Sequence, residues 1–298
     1  MIHNKYKGIT YASLGATFFG ISSIVADILF KHNPISPQWL VSVRMILSGI
    51  ILLSYLTISH KNIFNIWKNK NSAITIVIFG IFGVLFAQSS FLLTIFYGNA
   101  ALATILQSLG PSFIIIILAI YSKVVPRRID ILAIILSLFG IILLVTNGNL
   151  KELNFSGLAL FWGILSALGV CAYTLIPLSL VKKHPPLMIV AWGLLIGGIF
   201  SNVFTPISKI PQGIDKMDLF LIFVIVVVGT ILAYGFYINS LLYSEPHIVG
   251  MLSILEPVTS ILISTIFLNI SFLTFQVIGI ILVFLSLALI NYKSNELR

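Results

Sequence analysis

This sequence predicts an all-α membrane protein: ten transmembrane helices laid out as two inverted five-helix repeats, with both termini in the cytoplasm. Three observations carry that expectation. The 298 residues are 59% hydrophobic and only 8% charged, where a soluble domain carries about 25% charge, and the mean hydropathy is +1.12. Ten apolar runs, each of roughly the 20 residues that cross a bilayer, nearly consume the chain. The last five runs echo the first five. Gly8 to Gly49 reads against Gly157 to Gly198 without a gap, so that Pro37 falls on Pro186. After a shift of three residues, Gly83, Tyr97 and Pro111 fall on Gly229, Tyr243 and Pro257. Five is odd, so the second copy enters the bilayer upside down relative to the first. Inverted repeats suit carriers that open one central site to each side in turn.

A lone segment crosses lipid only with its backbone bonded internally, so each run reads as a helix. Span 1 (8–30) is long enough to cross and is not expected to be a cleavable signal peptide; Asp27 lies near its far end. Span 2 (36–58) starts beside Pro37 and holds Arg44. The stretch from Ile63 to Asn71, with Phe64 and Trp67, suits the cytoplasmic interface. Span 3 (73–97) has Gln88 at depth, and span 4 (100–121) has Gln107 and the Gly110-Pro111 step. Span 5 (129–147) ends the first repeat, residues 1–147. Residues 148–156 form a polar extracytoplasmic linker, and 157–298 form the second repeat. Span 6 (157–181) carries Trp162, Cys171 and Tyr173, and span 7 (187–206) carries Trp192. The loop from Ser208 to Asp218 contains the turn signal Pro211-Gln212-Gly213. Span 8 (217–243) holds Tyr234, Tyr237 and Asn239, and span 9 (247–268) holds Glu256-Pro257. Span 10 (272–292) completes the set.

Basic residues fix the orientation. Lys5, Lys7, Lys61, Lys68, Lys70, Lys123, Arg127, Arg128, Lys182, Lys183, Lys293 and Arg298 fall on one side. Lys31, Lys151, Lys209 and Lys216 fall on the other, and Arg44 alone sits inside a span. The rule that cytoplasmic loops are positive places both termini inside. The formal net charge of +9 therefore reads as topology and contact with anionic headgroups, and no nucleic-acid partner is expected. The single Cys171 excludes an internal disulfide and reads as a small packing residue. His3, His32, His60, His184 and His247 fall near loops or termini with no metal-ligand spacing, so no bound metal is predicted. No nucleophile–base cluster or glycine-rich phosphate cradle appears, so neither an enzyme nor a cofactor is expected. No length remains for a nucleotide-binding cassette, which leaves a gradient or the membrane potential as the energy source.

Leu255-Glu256-Pro257-Val258, the Leu109-Gly110-Pro111 step and the stretch from Pro37 to Arg44 resemble the EamA-type members of the drug/metabolite transporter superfamily. The likeness runs through the whole chain. It implies a basket of ten spans with spans 5 and 10 outside a central cavity. It also implies transport of small metabolites, such as amino acids, purines, sugars or amines, by export in many members. That family often has a Glu just after spans 4 and 9; here Lys123 and Asn269 stand near those positions, so coupling chemistry built on those acids does not carry over. The reading that follows is secondary active transport by alternating access across the cytoplasmic membrane, with export of an amino acid or a related amine or carboxylate. An uptake carrier or exchanger for a purine, sugar or drug-like compound, and a scaffold without flux, are the competing readings. The many Ile, Asn and Lys residues fit a bacterial source. The expected partners are a small-molecule substrate and the lipid bilayer; proton coupling and oligomeric state stay open.

Glu256 is the sharpest candidate for substrate binding. It lies about nine residues, or about 14 Å, into span 9, where a carboxylate is costly and is kept for a partner or a job. Arg44 lies about 12 Å into span 2. It could grip a substrate carboxylate bidentately or form a structural ion pair with Asp27. Gln88, Gln107 and Asn239 read equally as cavity wall or as interhelical hydrogen bonds. Trp162, Trp192 and Tyr234 read as interfacial anchors or as walls of an aromatic box, with Trp192 and Tyr234 favoured for the box by depth. Gly110, Pro111 and Pro257 are the predicted hinge, since Pro removes a backbone donor in mid-span.

Overall fold

In the computed structural model the described residues are 2–59, 61–123, 125–149, 154–181, 183–240, 242–244, 249 and 252–292. The expected linker residues 150–153, the start of span 9 around His247, and Lys293 to Arg298 lie outside them. The described residues form helices and no strand. They comprise α1 (Ile2–His32), α2 (Pro37–Ile58), α3 (Lys70–Tyr97), α4 (Ala100–Ser122), α5 (Arg128–Thr146), α6 (Gly157–Val181), α7 (Pro186–Phe204), α8 (Lys216–Ser240), α9 (Leu255–Phe267) and α10 (Thr274–Tyr292). The first eight are long and apolar enough to cross a membrane, and α9 and α10 are shorter apolar helices.

Local chemistry sets the helix starts. Ser36 Oγ accepts from Trp39 N with Pro37 in the first turn of α2. Asn99 Oδ1 accepts from Leu102 N at the start of α4, and Ser156 Oγ from Ala159 N at the start of α6. Each cap satisfies a donor that the helix cannot. The perimeter is built for an apolar solvent: Ile50, Phe82, Ile120, Phe139, Phe161 and Phe220 are exposed. So much large apolar surface marks a membrane-facing exterior.

The halves interlock. α2 packs along α7, α5 along α10, α3 along α6, and α1 along α8 and α9, while α4 packs on α6 and α9. Exchanging each helix for the one five places along returns the same set of pairs. The α5–α10 pair meets the rest of the bundle mainly through α4, where Ser112 and Ser137 bond at 3.1 Å, and is close enough that a Cβ on Gly140 would lie 2.7 Å from Gly279 O.

Two irregularities occur in both halves. α3 widens to a π-helix over Phe79–Leu85, and α8 does so over Val227–Leu232. Each segment contains one of the matched glycines, Gly83 and Gly229. α4 breaks at Ser108 and Leu109 before Gly110-Pro111, and the α9 region turns at Ser253 and Ile254 before Glu256-Pro257. Helix irregularities of this kind have local causes: proline removes a donor, and π-turns shift the register of the ladder.

Candidate functional site

A cavity of ≈ 380 Å³ lies between the halves, lined from α1, α2, α3, α4, α6, α8 and α9, with Leu287 of α10 at its margin. Arg44 reaches it from α2, is 4% exposed, and donates from Nε to Thr230 Oγ1 at 2.7 Å and from Nη2 to Gly229 O at 3.0 Å. The π-segment of α8 supplies that second acceptor. The Ala233 N–H, which an α-helix would aim at Gly229 O, bonds Thr230 O and Val228 O instead. The guanidinium is thus tied to a helix of the other half by a backbone irregularity.

Gln88 of α3 donates from Nε2 to Tyr234 Oη at 3.3 Å. The 146-residue shift that matches Pro111 to Pro257 also matches Gln88 to Tyr234, so the two equivalent positions meet each other. The Tyr234 ring packs edge-on against Phe19 at 4.9 Å, and Tyr173 and Tyr237 complete an aromatic corner around Phe19 and Tyr234. Gln107 lines the cavity and donates to Ser166 Oγ at 2.9 Å, joining α4 to α6.

Glu256 differs from all of these. It stands in the first turn of α9 at the cavity wall, and its carboxylate makes no hydrogen bond or ion pair with any described residue. Arg44, its nearest charge complement in the cavity, spends its short contacts on Gly229 and Thr230. The cavity therefore holds a guanidinium tied by hydrogen bonds and a carboxyl group that feels its charge but has no hydrogen-bond partner among the described residues, beside aromatic rings that can face an ammonium group.

Several expectations need correction. Asp27 and Arg44 do not pair: Asp27 binds Lys31 at 3.1 Å and accepts from Ala100 N at 3.2 Å. One turn along its own helix offered a nearer cation than α2 did. Trp192 does not reach the cavity. Its Nε1 donates to Ile63 O at 2.9 Å and its ring packs on Trp67 and Phe64, so it fastens the 3₁₀ segment Ile63–Lys68 to α7. Depth along a helix axis does not fix the face a residue occupies. Trp162 packs on Phe161 away from the cavity wall. Asn239 is exposed and bonds Gly235 O in its own helix. Cys171 is buried with its thiol on Gly110 O at 3.4 Å, as a packing residue would be. Pro111 and Pro257 both line the cavity at the helix breaks.

Sequence reasoning missed Phe19 and Ser22 of α1. Nothing in the sequence marks Phe19 among 22 phenylalanines. Ser22 had a faint signal: its hydroxyl is packed where a side chain on Gly229 would stand, and it is buried without a hydrogen-bond partner.

A multi-pass helical bundle whose halves enclose a mostly apolar cavity with a few buried polar groups is the architecture of a membrane transport protein. Residues 6–146 and 157–292 each match the EamA-like transporter family, and the chain belongs to that family. It is 33% identical over 290 residues to a Salmonella typhimurium protein described as the uncharacterized inner membrane transporter YicL, covering 97% of each chain. It is also 31% identical over 133 residues to the protein MJ1333.1 of Methanocaldococcus jannaschii, a match that takes up 90% of that protein and 44% of this one. A solved crystal structure shares the fold at a TM-score of 0.63 and 13% identity, covering 97% of this chain and 96% of its own.

Proposed function

We propose that this chain is a ten-span secondary carrier in the cytoplasmic membrane that moves a small amine-bearing metabolite, an amino acid or a related amine, outward by alternating access. The observation that carries the reading is the unpaired Glu256 carboxylate facing the cavity that Arg44, Gln88 and Tyr234 share. A substrate ammonium group would satisfy it. The substrate's carboxylate, where it has one, would meet the remaining Arg44 donors. The pairing of each helix with partners that map onto one another supports two inverted repeats, residues 1–147 and 157–298. The basic-residue census supports cytoplasmic termini. The matched breaks at Pro111 and Pro257 supply places where two halves could bend about the site. A proton is the other cation that Glu256 could exchange.

The test uses the purified protein in detergent and in proteoliposomes. A ligand that binds the native state raises the melting temperature by mass action. Amino acids and amines are expected to raise it and to be carried as labelled substrates. Glu256→Gln should lose the response while its own melting temperature stays near that of the wild type. A response confined to purines, sugars or acids without an amine, or one retained in Glu256→Gln, would overturn the substrate assignment. Binding without flux would overturn transport by this chain.

A further inference from the structure

His32 ends α1, and Asp215 and Asp218 begin α8. They meet at the end of the bundle opposite the Lys7–Tyr243 contact. His32 Nε2 lies 3.1 Å from Asp215 Oδ2 and 3.9 Å from Asp218 Oδ1, and the three atoms all lie within 4.8 Å of one another. The two carboxylates divide their oxygens in the same way. Asp215 Oδ1 accepts from Asp218 N at 2.8 Å and so caps α8, which leaves Oδ2 facing the imidazole. Asp218 Oδ2 accepts from Asn33 Nδ2 at 2.9 Å and from Asp215 N at 3.2 Å. That leaves Asp218 Oδ1 buried with no hydrogen-bond partner, on a side chain only 1% exposed.

A buried carboxylate oxygen without a donor is a costly arrangement that calls for a cation. A protonated His32 answers this poorly: it already bonds Asp215, stands 3.9 Å from Asp218 Oδ1, and leaves two carboxylates against one positive charge. A divalent ion with a neutral imidazole balances both carboxylates. One imidazole nitrogen and two carboxylate oxygens are ligands zinc accepts at about 2.0–2.2 Å. Such bonds put neighbouring ligand atoms about 3.3 Å apart in a tetrahedron. The two His32 distances fall on either side of that spacing. His32 and Asp215 are 46% and 53% exposed, so an ion can enter from solvent and keep water in the open position.

We infer that His32, Asp215 and Asp218 form a site for one divalent cation of the zinc type, which clamps the end of α1 to the start of α8. The sequence predicted no metal because these residues are some 180 positions apart and follow no ligand spacing. Only the fold joins them.

The test is made on the untagged full chain in detergent, stripped with chelator and titrated with zinc chloride. About one zinc per chain should survive gel filtration, and the melting temperature should rise saturably. Cobalt in place of zinc should give the visible absorption bands of a low-coordinate nitrogen and oxygen site. His32→Gln should weaken zinc binding at least tenfold, while His60→Gln, a change at another histidine, should leave it intact. Asp215→Asn retains an amide oxygen to cap α8, so it tests the site even if His32→Gln folds poorly, and it too should lose at least tenfold. Stoichiometric zinc that is lost in both variants would support the site. Zinc bound equally by both variants, or no zinc retained by the wild type, would overturn it in favour of a protonated His32 bridging the two acids.

Discussion

The helix break in α4 and the one in the α9 region use the same backbone device and carry different chemistry. Each has a turn of two residues followed by a proline that lines the cavity. The residue before the proline is Gly110 in α4 and Glu256 in α9. The difference extends to α2 and α7. Arg44 is matched in the repeat by Gly193, which packs so closely on Phe79 that a Cβ would come within 2.6 Å of the ring. Backbone irregularities are therefore duplicated, while the charges occur once each, the acid in the second half and the base in the first. Matched breaks recur along the chain, but a small polar ligand has two different ends and calls for an asymmetric lining.

The largest expected effect on function tests that asymmetry directly. Glu256→Gln should weaken ligand binding by at least tenfold, about 1.4 kcal/mol, because no matched acid exists in α4 to substitute. Retained binding would mean that the cavity recognises its ligand by shape or by aromatic contact. The next comparison sets Arg44 against Gly193. Arg44→Ala leaves Gly229 O and Thr230 without their charged donor and should cost about 2–4 kcal/mol of stability. Gly193→Ala pushes the Phe79 ring and crowds Val84, and should cost about 1–3 kcal/mol, the range for overpacking. If Gly193→Ala proves the more damaging by thermal or denaturant unfolding, close approach of α3 and α7 matters more than the guanidinium bridge.

Much of this was legible in the sequence, for reasons that also explain what was not. Apolar runs report the solvent, so α1 to α8 emerged within a few residues of their observed ends. The prolines marked the breaks. Glu256, Arg44, Gln88, Gln107 and Tyr234 were found because a polar group at depth is expensive and so stands out. Helix facing was not legible: Trp192 and Tyr234 had similar estimated depths, yet one turns to Trp67 and the other to the cavity. Pairing was not legible either, since Lys31 captured Asp27 from one turn away. One contact could have been read in advance. Gln88 and Tyr234, which the 146-residue shift sets against each other, are in contact.

That contact offers a smaller test of how the halves are joined. Gln88→Leu, Tyr234→Phe and the double variant form a cycle that isolates the Gln88–Tyr234 hydrogen bond from everything else each residue touches. Interhelical hydrogen bonds of this kind couple by about 0.6 kcal/mol on average. A coupling near that value would make the contact one ordinary tie between α3 and α8. A coupling of zero would mean that the tyrosine is held by Phe19 and Tyr173, and that the glutamine amide is available to a ligand.

The smallest effect belongs outside the membrane-spanning segments. Asp215, just before α8, is held below the usual carboxylate range, first by the Asp218 backbone N–H and then by His32. A depressed value means that the folded chain favours the ionised form more than the unfolded chain does. The stabilisation is therefore fully present above the ordinary carboxylate pKa of about 3.9 and fades as pH falls through the folded value. Wild type and Asp215→Asn, both stripped of metal, should differ most in mild acid, where Asp215 is ionised and His32 still protonated, and converge in strong acid, and the gap should shrink in high salt because the group is exposed. A gap that instead widens in acid would show that the cap prefers a neutral partner at Asp215. The α8 start would then be held by its amide-type hydrogen bonds rather than by charge, in contrast to the guanidinium that holds the middle of the same helix.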